Sequence, residues 1–231
     1  MLWFLILFFV IPIGLIYMGQ KATVADWGSK RINWIDGLIR ILCRYVHGLD
    51  DKNNIPLPVT GPAIVVANHI SGLDPFLLIS ACKRPLRFLI AREEYERPLL
   101  NWLFRASGCI PVDRTGRPEK ALREALNALQ EGEVVALFPH GRILLDKELP
   151  YKIKGGVARL AIWSEATIYP IRIDGVGGEG LVALASVIPS KVILTMGSPL
   201  KCQAIEMKAC LASITLDIGP LHESKLDSDL D

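Results

Sequence analysis

The chain has 231 residues, of which 51% are hydrophobic and 22% charged, and its 26 lysines and arginines nearly balance its 24 aspartates and glutamates. A net charge of +2 excludes a strongly basic nucleic-acid-binding protein, and the apolar content excludes an intrinsically disordered chain. The length is sufficient for one large domain with a sizeable core. Because the mean hydropathy of +0.33 is high for a soluble protein, the position of the excess apolar residues is informative.

The first twenty residues carry no charged side chain, and the first cation is Lys21. As a helix rising ~1.5 Å per residue, this segment would extend ~30 Å, about the thickness of a hydrocarbon core. It lacks both the basic start and the small-residue cleavage site of a signal peptide. We therefore predict a membrane anchor, which either spans the bilayer or, because Pro12 can break the helix, enters one leaflet. The alternative is a buried core helix.

A second apolar stretch covers residues 32–49, where the spacing of three and four residues predicts a helix with a wide apolar stripe. Arg40 and Arg44 interleave it, and Trp27 and Trp34 suit a membrane–water boundary. This helix either lies at the membrane surface or packs on the main domain. The two interpretations are compatible if it lies between the bilayer and the domain.

Between residues 60 and 200, short β-branched runs alternate with helical patterns. The runs predict strands at 63–67, 87–91, 110–113, 134–138, 167–173 and 191–196. Apolar spacing predicts helices at 75–81, 94–105, 118–130 and 155–164, the second with Leu99, Leu100, Leu103 and Phe104 facing inward. We therefore predict an α/β fold, a layered mixed sheet flanked by helices with N-terminal membrane-associated helices, and catalytic loops at the strand ends.

The domain organisation predicted is membrane-anchoring helices over 1–48, a catalytic domain over 49–222 and an acidic, disordered tail over 223–231. The odd number of cysteines and the absence of a Cys-x-x-Cys pair offer no disulfide framework. We expect reduced, structural cysteines in a domain facing the cytoplasm. The five are Cys43, Cys82, Cys109, Cys202 and Cys210.

The segment 68–75 follows the first buried strand and is the sharpest local feature. Pro75 suits the first position of a helix, which makes Asp74 the expected N-cap. A carboxylate there can hold one nitrogen of His69 and leave the other as a general base. The alternative is a hydrogen-bonded structural histidine. Ser71 is a candidate nucleophile, although it lacks the Gly-x-Ser-x-Gly elbow.

Basic residues lie at the ends of two predicted strands and at the start of a predicted helix. Each is either a solvated surface charge or part of one anion site, and their positions at strand ends and a helix start favour the anion site. We expect them to converge on one phosphate-binding face. They are Arg114, Arg117, Arg142, Lys152 and Lys154.

The sequence resembles the glycerolipid acyltransferases, whose best-known members are the 1-acylglycerol-3-phosphate acyltransferases. The resemblance covers roughly residues 60–200 and rests on four blocks in order. Asn68, His69 and Asp74 match the Asn-His-x4-Asp block, and residues 108–114, ending in Arg114, match the second. The third, Phe-Pro-x-Gly followed by arginine, lies at 138–142, and the fourth, an apolar run with Pro170, at 168–171.

The resemblance implies a membrane-associated enzyme that moves a fatty acyl group from acyl-CoA or acyl-carrier protein to the sn-2 hydroxyl of 1-acylglycerol 3-phosphate. It implies phosphatidic acid as product and membrane lipids as partners. The charge balance predicts no nucleic-acid partner, and the sequence offers no Cys/His cluster, so we expect no metal or further cofactor. His69 would be the base and Asp74 its partner. Substrate would contact Asn68, Arg114, Gly141, Arg142 and Pro170 of the matched blocks. The predicted anion site adds Lys154 to these substrate-binding residues.

The third block departs from the family, because His140 stands where most members have glutamate. The role of that glutamate therefore does not transfer. We predict retained activity with an altered acceptor preference, since imidazole donates hydrogen bonds and, if protonated, adds positive charge. The alternatives are another lysolipid acceptor, such as lyso-ornithine lipid or lysophosphatidylglycerol, a thioesterase, or a non-catalytic lipid-binding relative.

Overall fold

A single six-stranded sheet forms the centre of the protein. The computed structural model describes residues 10–50, 54–114, 116, 118–145, 153–203 and 206–220. The sheet has the order β3–β2–β4–β1–β5–β6, with β6 antiparallel to β5 and every other neighbouring pair parallel. This confirms the predicted mixed sheet. The strands are β1 (Ala63–Ala67), β2 (Leu86–Ala91), β3 (Ile110–Val112), β4 (Val134–Leu137), β5 (Thr167–Asp174) and β6 (Ile193–Met196).

Helices cover both faces of the sheet. They are α1 (Ile11–Ala22), α2 (Lys30–Tyr45), α3 (Asp74–Ala81), α4 (Arg92–Tyr95), α5 (Asn101–Ala106), α6 (Glu119–Gln130), α7 (Gly156–Ser164) and α8 (Met207–Ile218), with a 3₁₀ turn at Leu184–Ser186. One core cluster joins the sheet to α3 and to Cys43 of α2. The other joins it to α6, α7 and α8. β1 is buried along its whole length between these layers, which explains its uninterrupted Ala-Ile-Val-Val-Ala sequence.

The predicted helix over 94–105 is wrong, because the chain forms two short helices, α4 and α5, with a break between them. Pro98 has no amide to donate to a helical ladder, and Leu99 adopts a left-handed φ of 72°. Leu99 and Leu100 are exposed instead of facing the core. Leu103 and Phe104 are half-buried.

The N-terminal helices α1 and α2 pack against each other as a hairpin. A Cβ on Gly19 or Gly37 would collide with backbone of the facing helix, so only glycine allows this approach. Asp36 is buried within α2 and accepts hydrogen bonds from the Val24 amide, which follows α1, at 3.0 Å and from Arg40 Nε at 2.8 Å. Arg40 also donates to the carbonyl oxygens of Ser80 and Cys82, at 2.8 and 2.7 Å. The helix α2 is therefore tied to the end of α3, as the packed-helix interpretation expected.

Across the described part of the chain, no helix combines the length and apolar character needed to cross a bilayer. Pro12 lies in the first turn of α1, which is 12 residues long. Residues 1–9 of the predicted anchor, and the predicted tail at 223–231, lie outside the described residues. The membrane anchor therefore stays a prediction.

Two of the five cysteines pair, which corrects the expectation that all are reduced. Cys202 and Cys210 form a disulfide between the segment after β6 and α8, with their Cα atoms 5.6 Å apart. The two cysteines are 8 residues apart in sequence, and Cys210 lies within α8. Cys43, Cys82 and Cys109 are free thiols. Burial raises the pKa of Cys43 to about 11 and that of Cys82 to about 12, which makes both unreactive.

Candidate active site

The chemistry-bearing residues lie at one edge of the sheet, where the parallel strands end. His69 follows β1, residues 138–142 follow the adjacent β4, and Arg114 follows β3. Carboxyl ends of parallel strands meet at a common edge, where open α/β sheets bind ligands. Residues that are distant in sequence are thereby brought together.

His69 and Asp74 form a hydrogen-bonded pair. His69 Nδ1 lies 2.8 Å from Asp74 Oδ2, with the His69 side chain 19% exposed and that of Asp74 fully buried. Because an ionised carboxylate only accepts hydrogen bonds, Nδ1 is the donor. The arrangement fixes the tautomer and leaves Nε2 as the nitrogen that can take a proton.

Asp74 is the first residue of α3 and not its N-cap, which corrects the sequence prediction. Its carboxylate turns back over the preceding loop instead of capping the helix. Oδ2 accepts the amides of Ile70 at 2.7 Å and Ser71 at 2.9 Å, in addition to His69. With its lone pairs directed at the loop, the carboxylate serves as the anchor of residues 69–71.

Ser71 is a positioning residue that the sequence reading missed, because there it was only a candidate nucleophile. Its Oγ is buried, donates to Asp74 Oδ1 at 2.7 Å and accepts the Leu73 amide at 3.1 Å. Both carboxylate oxygens of Asp74 are therefore held. A serine three residues before the aspartate is the only sequence signal for this contact, and it does not distinguish support from nucleophilicity.

The His69 ring stacks on Phe138, with ring centroids 4.1 Å apart and an interplanar angle of 14°. The carbonyl oxygen of His69 accepts the Leu144 amide at 2.8 Å. The sequence indicates Phe138 only as part of the third block, and no local pattern indicates Leu144. The loops after β1 and β4 therefore form one unit around His69.

Asn68 is a structural clamp in this arrangement. Its Oδ1 accepts the Ile173 amide at 2.7 Å and its Nδ2 donates to the Ile173 carbonyl at 2.9 Å. The side chain is buried and both of its polar groups join β1 to β5. Contact between Asn68 and substrate therefore stays a prediction, whereas its role in placing His69 is visible.

Two of the predicted anion-site residues, Arg114 and Lys154, meet beside Gly141. Arg114 Nη1 donates to the Gly141 carbonyl at 2.8 Å, and Arg114 Nη2 lies 3.7 Å from Glu93 Oε2. Gly141 has a φ of 74°, and a Cβ there would contact the ammonium end of Lys154. Lys154 is exposed and is held at its own amide by the Pro139 carbonyl at 3.0 Å. Two flexible cations thus flank one backbone turn.

The remaining predicted residues are less closely connected to this site. Arg142 is exposed and adjoins Gly141. Arg117 and Lys152 lie outside the described residues. Pro170 is buried within β5 and pairs with Val66, three residues before His69, which corresponds to about 10 Å along a strand. The structure does not bring Pro170 to the strand end, and its contact with substrate stays a prediction.

His140 is buried in the turn between Phe138 and Gly141. Burial, and secondarily the charge of His69, lowers the pKa of His140 from 6.5 to about 4. The imidazole is therefore neutral at pH 7, so it adds no positive charge to the site. Of the two roles that the sequence left open, the structure favours the uncharged one.

No grouping of three His, Cys, Asp or Glu side chains suitable for a metal ion occurs among the residues that the structure describes. At the ends of the parallel strands, the titratable side chains of His69 and Asp74 are in direct hydrogen-bond contact.

The sequence and the fold of this chain are similar to those of known acyltransferases. Residues 44–174 match the family model described as Acyltransferase. The chain is 31% identical over 134 residues to an N-acylphosphatidylethanolamine synthase of Arabidopsis thaliana, covering 53% of this chain and 47% of that protein. It is 25% identical to a 1-acyl-sn-glycerol-3-phosphate acyltransferase of Streptococcus pneumoniae, covering 82% of this chain and 70% of the relative.

A third relative, a 1-acyl-sn-glycerol-3-phosphate acyltransferase of Chlamydomonas reinhardtii, is 30% identical over 54% of this chain and 38% of its own length. The chain thus spans less than half of the Arabidopsis and Chlamydomonas proteins. The fold matches the crystal structure of the 1-acyl-sn-glycerophosphate acyltransferase PlsC from Thermotoga maritima, with a TM-score of 0.63 at 20% identity over 99% of this chain and 93% of that one. With a family match over more than half its length, the chain belongs to the glycerolipid acyltransferase family.

Proposed function

We propose that the protein transfers a fatty acyl group from an acyl thioester to the sn-2 hydroxyl of 1-acylglycerol 3-phosphate, forming phosphatidic acid. The observation that carries this proposal is the contact of His69 Nδ1 with the buried, multiply bonded carboxylate of Asp74. A histidine held in this way is suited to act as a general base, because its free nitrogen is fixed in position and its cationic form is stabilised.

In the proposed reaction, His69 Nε2 removes the proton from the acceptor hydroxyl as the oxygen attacks the thioester carbonyl carbon. A carbon–oxygen bond forms, and the tetrahedral intermediate then collapses with cleavage of the carbon–sulfur bond. The imidazolium returns the proton to the departing thiolate, so the enzyme ends in its starting state. The protein needs no nucleophile of its own, which agrees with the commitment of Ser71 Oγ to Asp74.

The cations beside Gly141 support a phosphate-bearing acceptor. Arg114 and Lys154 belong to different loops, and both side chains approach the Gly141 turn. Guanidinium and ammonium groups are the side chains that bind phosphate most effectively. The names of the Chlamydomonas and Streptococcus relatives specify 1-acyl-sn-glycerol-3-phosphate as acceptor, which agrees with this assignment.

A second acceptor class has a specific observation in its favour. A lyso-ornithine lipid O-acyltransferase of Rhodobacter capsulatus is 36% identical over 85 residues, covering 36% of this chain and 30% of that protein. Ornithine lipids carry no phosphate. An acceptor that lacks phosphate would make little use of Arg114 and Lys154, so we rank it second.

We also propose that the protein works at a membrane surface, where lysolipids reside. The supporting observation is α1, on which Ile13, Tyr17 and Met18 are each at least half exposed although apolar. Exposed apolar side chains on a helix are typical of an interfacial anchor.

The test measures thiol release from acyl-CoA and from acyl-carrier protein by the purified full chain. We expect release only when a lysolipid is added, with 1-acylglycerol 3-phosphate preferred over lysophosphatidylglycerol and lyso-ornithine lipid. Mass spectrometry of the product should show phosphatidic acid. If thiol release were equally fast with and without the acceptor, the protein would be a thioesterase, which would contradict the proposal. A preference for lyso-ornithine lipid as acceptor would also contradict it.

A further inference from the structure

Residues 180–190 form an uncharged apolar surface directly beside the catalytic loop. The segment, Gly-Leu-Val-Ala-Leu-Ala-Ser-Val-Ile-Pro-Ser, contains no acidic or basic side chain. Its apolar side chains point largely to the outside: Leu181 is 39%, Val182 51%, Leu184 62% and Val187 69% exposed. Exposed apolar residues concentrated in one segment indicate a contact surface more strongly than residues scattered singly.

The segment is attached to the loop that carries His69 and Asp74. The Gly72 amide donates to the Leu181 carbonyl at 2.9 Å, and the Gly180 amide donates to the Ile70 carbonyl at 2.7 Å. The two backbones are so close at Gly72 that a Cβ there would collide with the Val182 carbonyl. This surface is therefore hydrogen-bonded to the backbone between the base and its carboxylate.

The other end of the segment is attached to the N-terminal hairpin. His47 is buried, with Nδ1 3.1 Å from Ser190 Oγ and Nε2 3.1 Å from the Ser186 carbonyl oxygen. The Ser190 amide donates to the Val46 carbonyl at 3.2 Å. The segment thus bridges the catalytic loop and the end of α2.

The buried Ala185 secures the middle of the segment. It is fully enclosed in the core cluster shared with α2 and α3, while Leu184 on one side of it is exposed. The 3₁₀ turn at Leu184–Ser186 holds these two orientations in a fixed relation. The exposed side chains are therefore presented by a supported turn.

We propose that residues 180–190 are a second lipid-contacting surface, which inserts Leu181, Val182, Leu184 and Val187 into the bilayer interface and holds the catalytic loop against the membrane. This inference rests on the proposed function, because it concerns how a lysolipid acceptor reaches His69. We expect a bilayer, and not a protein partner, because the surface contains no charged side chain to specify a partner, and Ser186, the polar residue in its middle, is half-buried. Charged residues lie only at its borders, where Glu179 before the segment and Lys191 after it are both exposed. Lys191 is suited to an anionic headgroup.

The experiment compares the double variant Leu184→Ser/Val187→Ser with the wild type and with a matched control, Val59→Ser/Leu216→Ser. Both control residues are exposed and lie away from the segment, in the loop before β1 and on α8. Activity is measured with two acceptors: long-chain 1-acylglycerol 3-phosphate in vesicles containing anionic phosphatidylglycerol, and a short-chain analogue dissolved as monomers. Thermal melting and sedimentation of each variant are measured in parallel.

In the segment variant, we expect the ratio of activity on vesicles to activity on the soluble acceptor to fall about tenfold below that of the wild type. The reason is that less apolar surface is transferred from water into the bilayer interface. The control should keep the wild-type ratio of the two activities. An equal loss on both acceptors, or no loss on vesicles, would overturn the inference. So would a wild-type dimer that the segment variant converts to monomers, since the surface would then be covered by a second copy.

Failure of the proposed function has a different result. In that case the wild type would transfer no acyl group to either form of the lysophosphatidic acceptor. The inference about the surface is tested by the ratio of the activities of each protein on vesicles and on the soluble acceptor. The proposed function is tested by whether the wild type has acyltransferase activity at all.

Discussion

The two loops that form the site are built in different ways. In the loop after β1, Asp74 is fully buried and its two carboxylate oxygens accept hydrogen bonds from four donors. Around the loop after β4, the cations are exposed. Arg114, which follows β3, has a side chain 36% exposed, and Lys154, which precedes α7, is exposed too. Proton transfer requires a fixed atom within about 3 Å of its target. Binding of a phosphate by long cationic side chains tolerates motion, because Coulomb attraction falls slowly with distance.

The contrast between the fixed His69–Asp74 pair and the exposed cations predicts that removing the base has the largest effect on activity. His69→Ala should lower kcat by about 10²–10⁴, because general-base assistance is lost, while acceptor binding by the cations is kept. The measurement is steady-state kinetics on 1-acylglycerol 3-phosphate, with the melting temperature as the control for folding. If the folded variant retained most of the wild-type kcat, the assignment of His69 as the general base would be contradicted.

The second effect concerns the support of the carboxylate. Ser71→Ala should lower kcat by roughly tenfold with little change in KM and should destabilise the fold by about 1–3 kcal/mol, because a buried carboxylate oxygen loses its donor. Ser71→Thr keeps the hydroxyl and should recover much of kcat. Complete inactivity of the alanine variant, together with trapping of an acylated Ser71 in the wild type, would instead identify Ser71 as a nucleophile.

The third effect should appear in binding and not in chemistry. Arg114→Met and Lys154→Met should each raise KM for the phosphate-bearing acceptor by roughly fivefold at nearly constant kcat, since each removes one exposed charge–charge contact. Arg123→Met, which removes an exposed arginine of α6, is the matched control. Added salt should weaken acceptor binding by the wild type more than by the variants. A loss confined to kcat would show that these cations act on the reacting atoms.

The smallest effect concerns His140 and is confined to acidic pH. Because its pKa is about 4 in the fold against 6.5 when exposed, the unfolded chain binds more protons between these values, and stability falls as pH falls through this window. His140→Gln should reduce that loss by about 1–3 kcal/mol at pH 4 and leave the stability at pH 7 nearly unchanged. Urea unfolding at pH 7, 5.5 and 4 measures the difference, and identical pH dependence in the two proteins would contradict neutral burial of His140.

Much of the fold could be predicted from the sequence because it is encoded in local periodicity. The buried run Ala63–Ala67 and the helix Glu119–Gln130 lie within a residue or two of their predicted bounds. The prediction failed between α4 and α5, where apolar spacing favoured a continuous helix and the backbone restriction around Pro98 prevailed. The disulfide between Cys202 and Cys210 was also missed, since it depends on how α8 returns against the sheet.

The sequence by itself determined which chemical groups are present and in what order: a histidine and an aspartate after a buried strand, and basic residues after later elements. Only the tertiary structure decided that the Asn68 amide binds Ile173, 105 residues away, that Arg114 meets the Gly141 carbonyl, and that Phe138 stacks on His69. The physical reason is that residue type and spacing act within a helix or strand, whereas contacts between strand ends depend on the order of strands in the sheet. That order results from packing the whole chain around two cores.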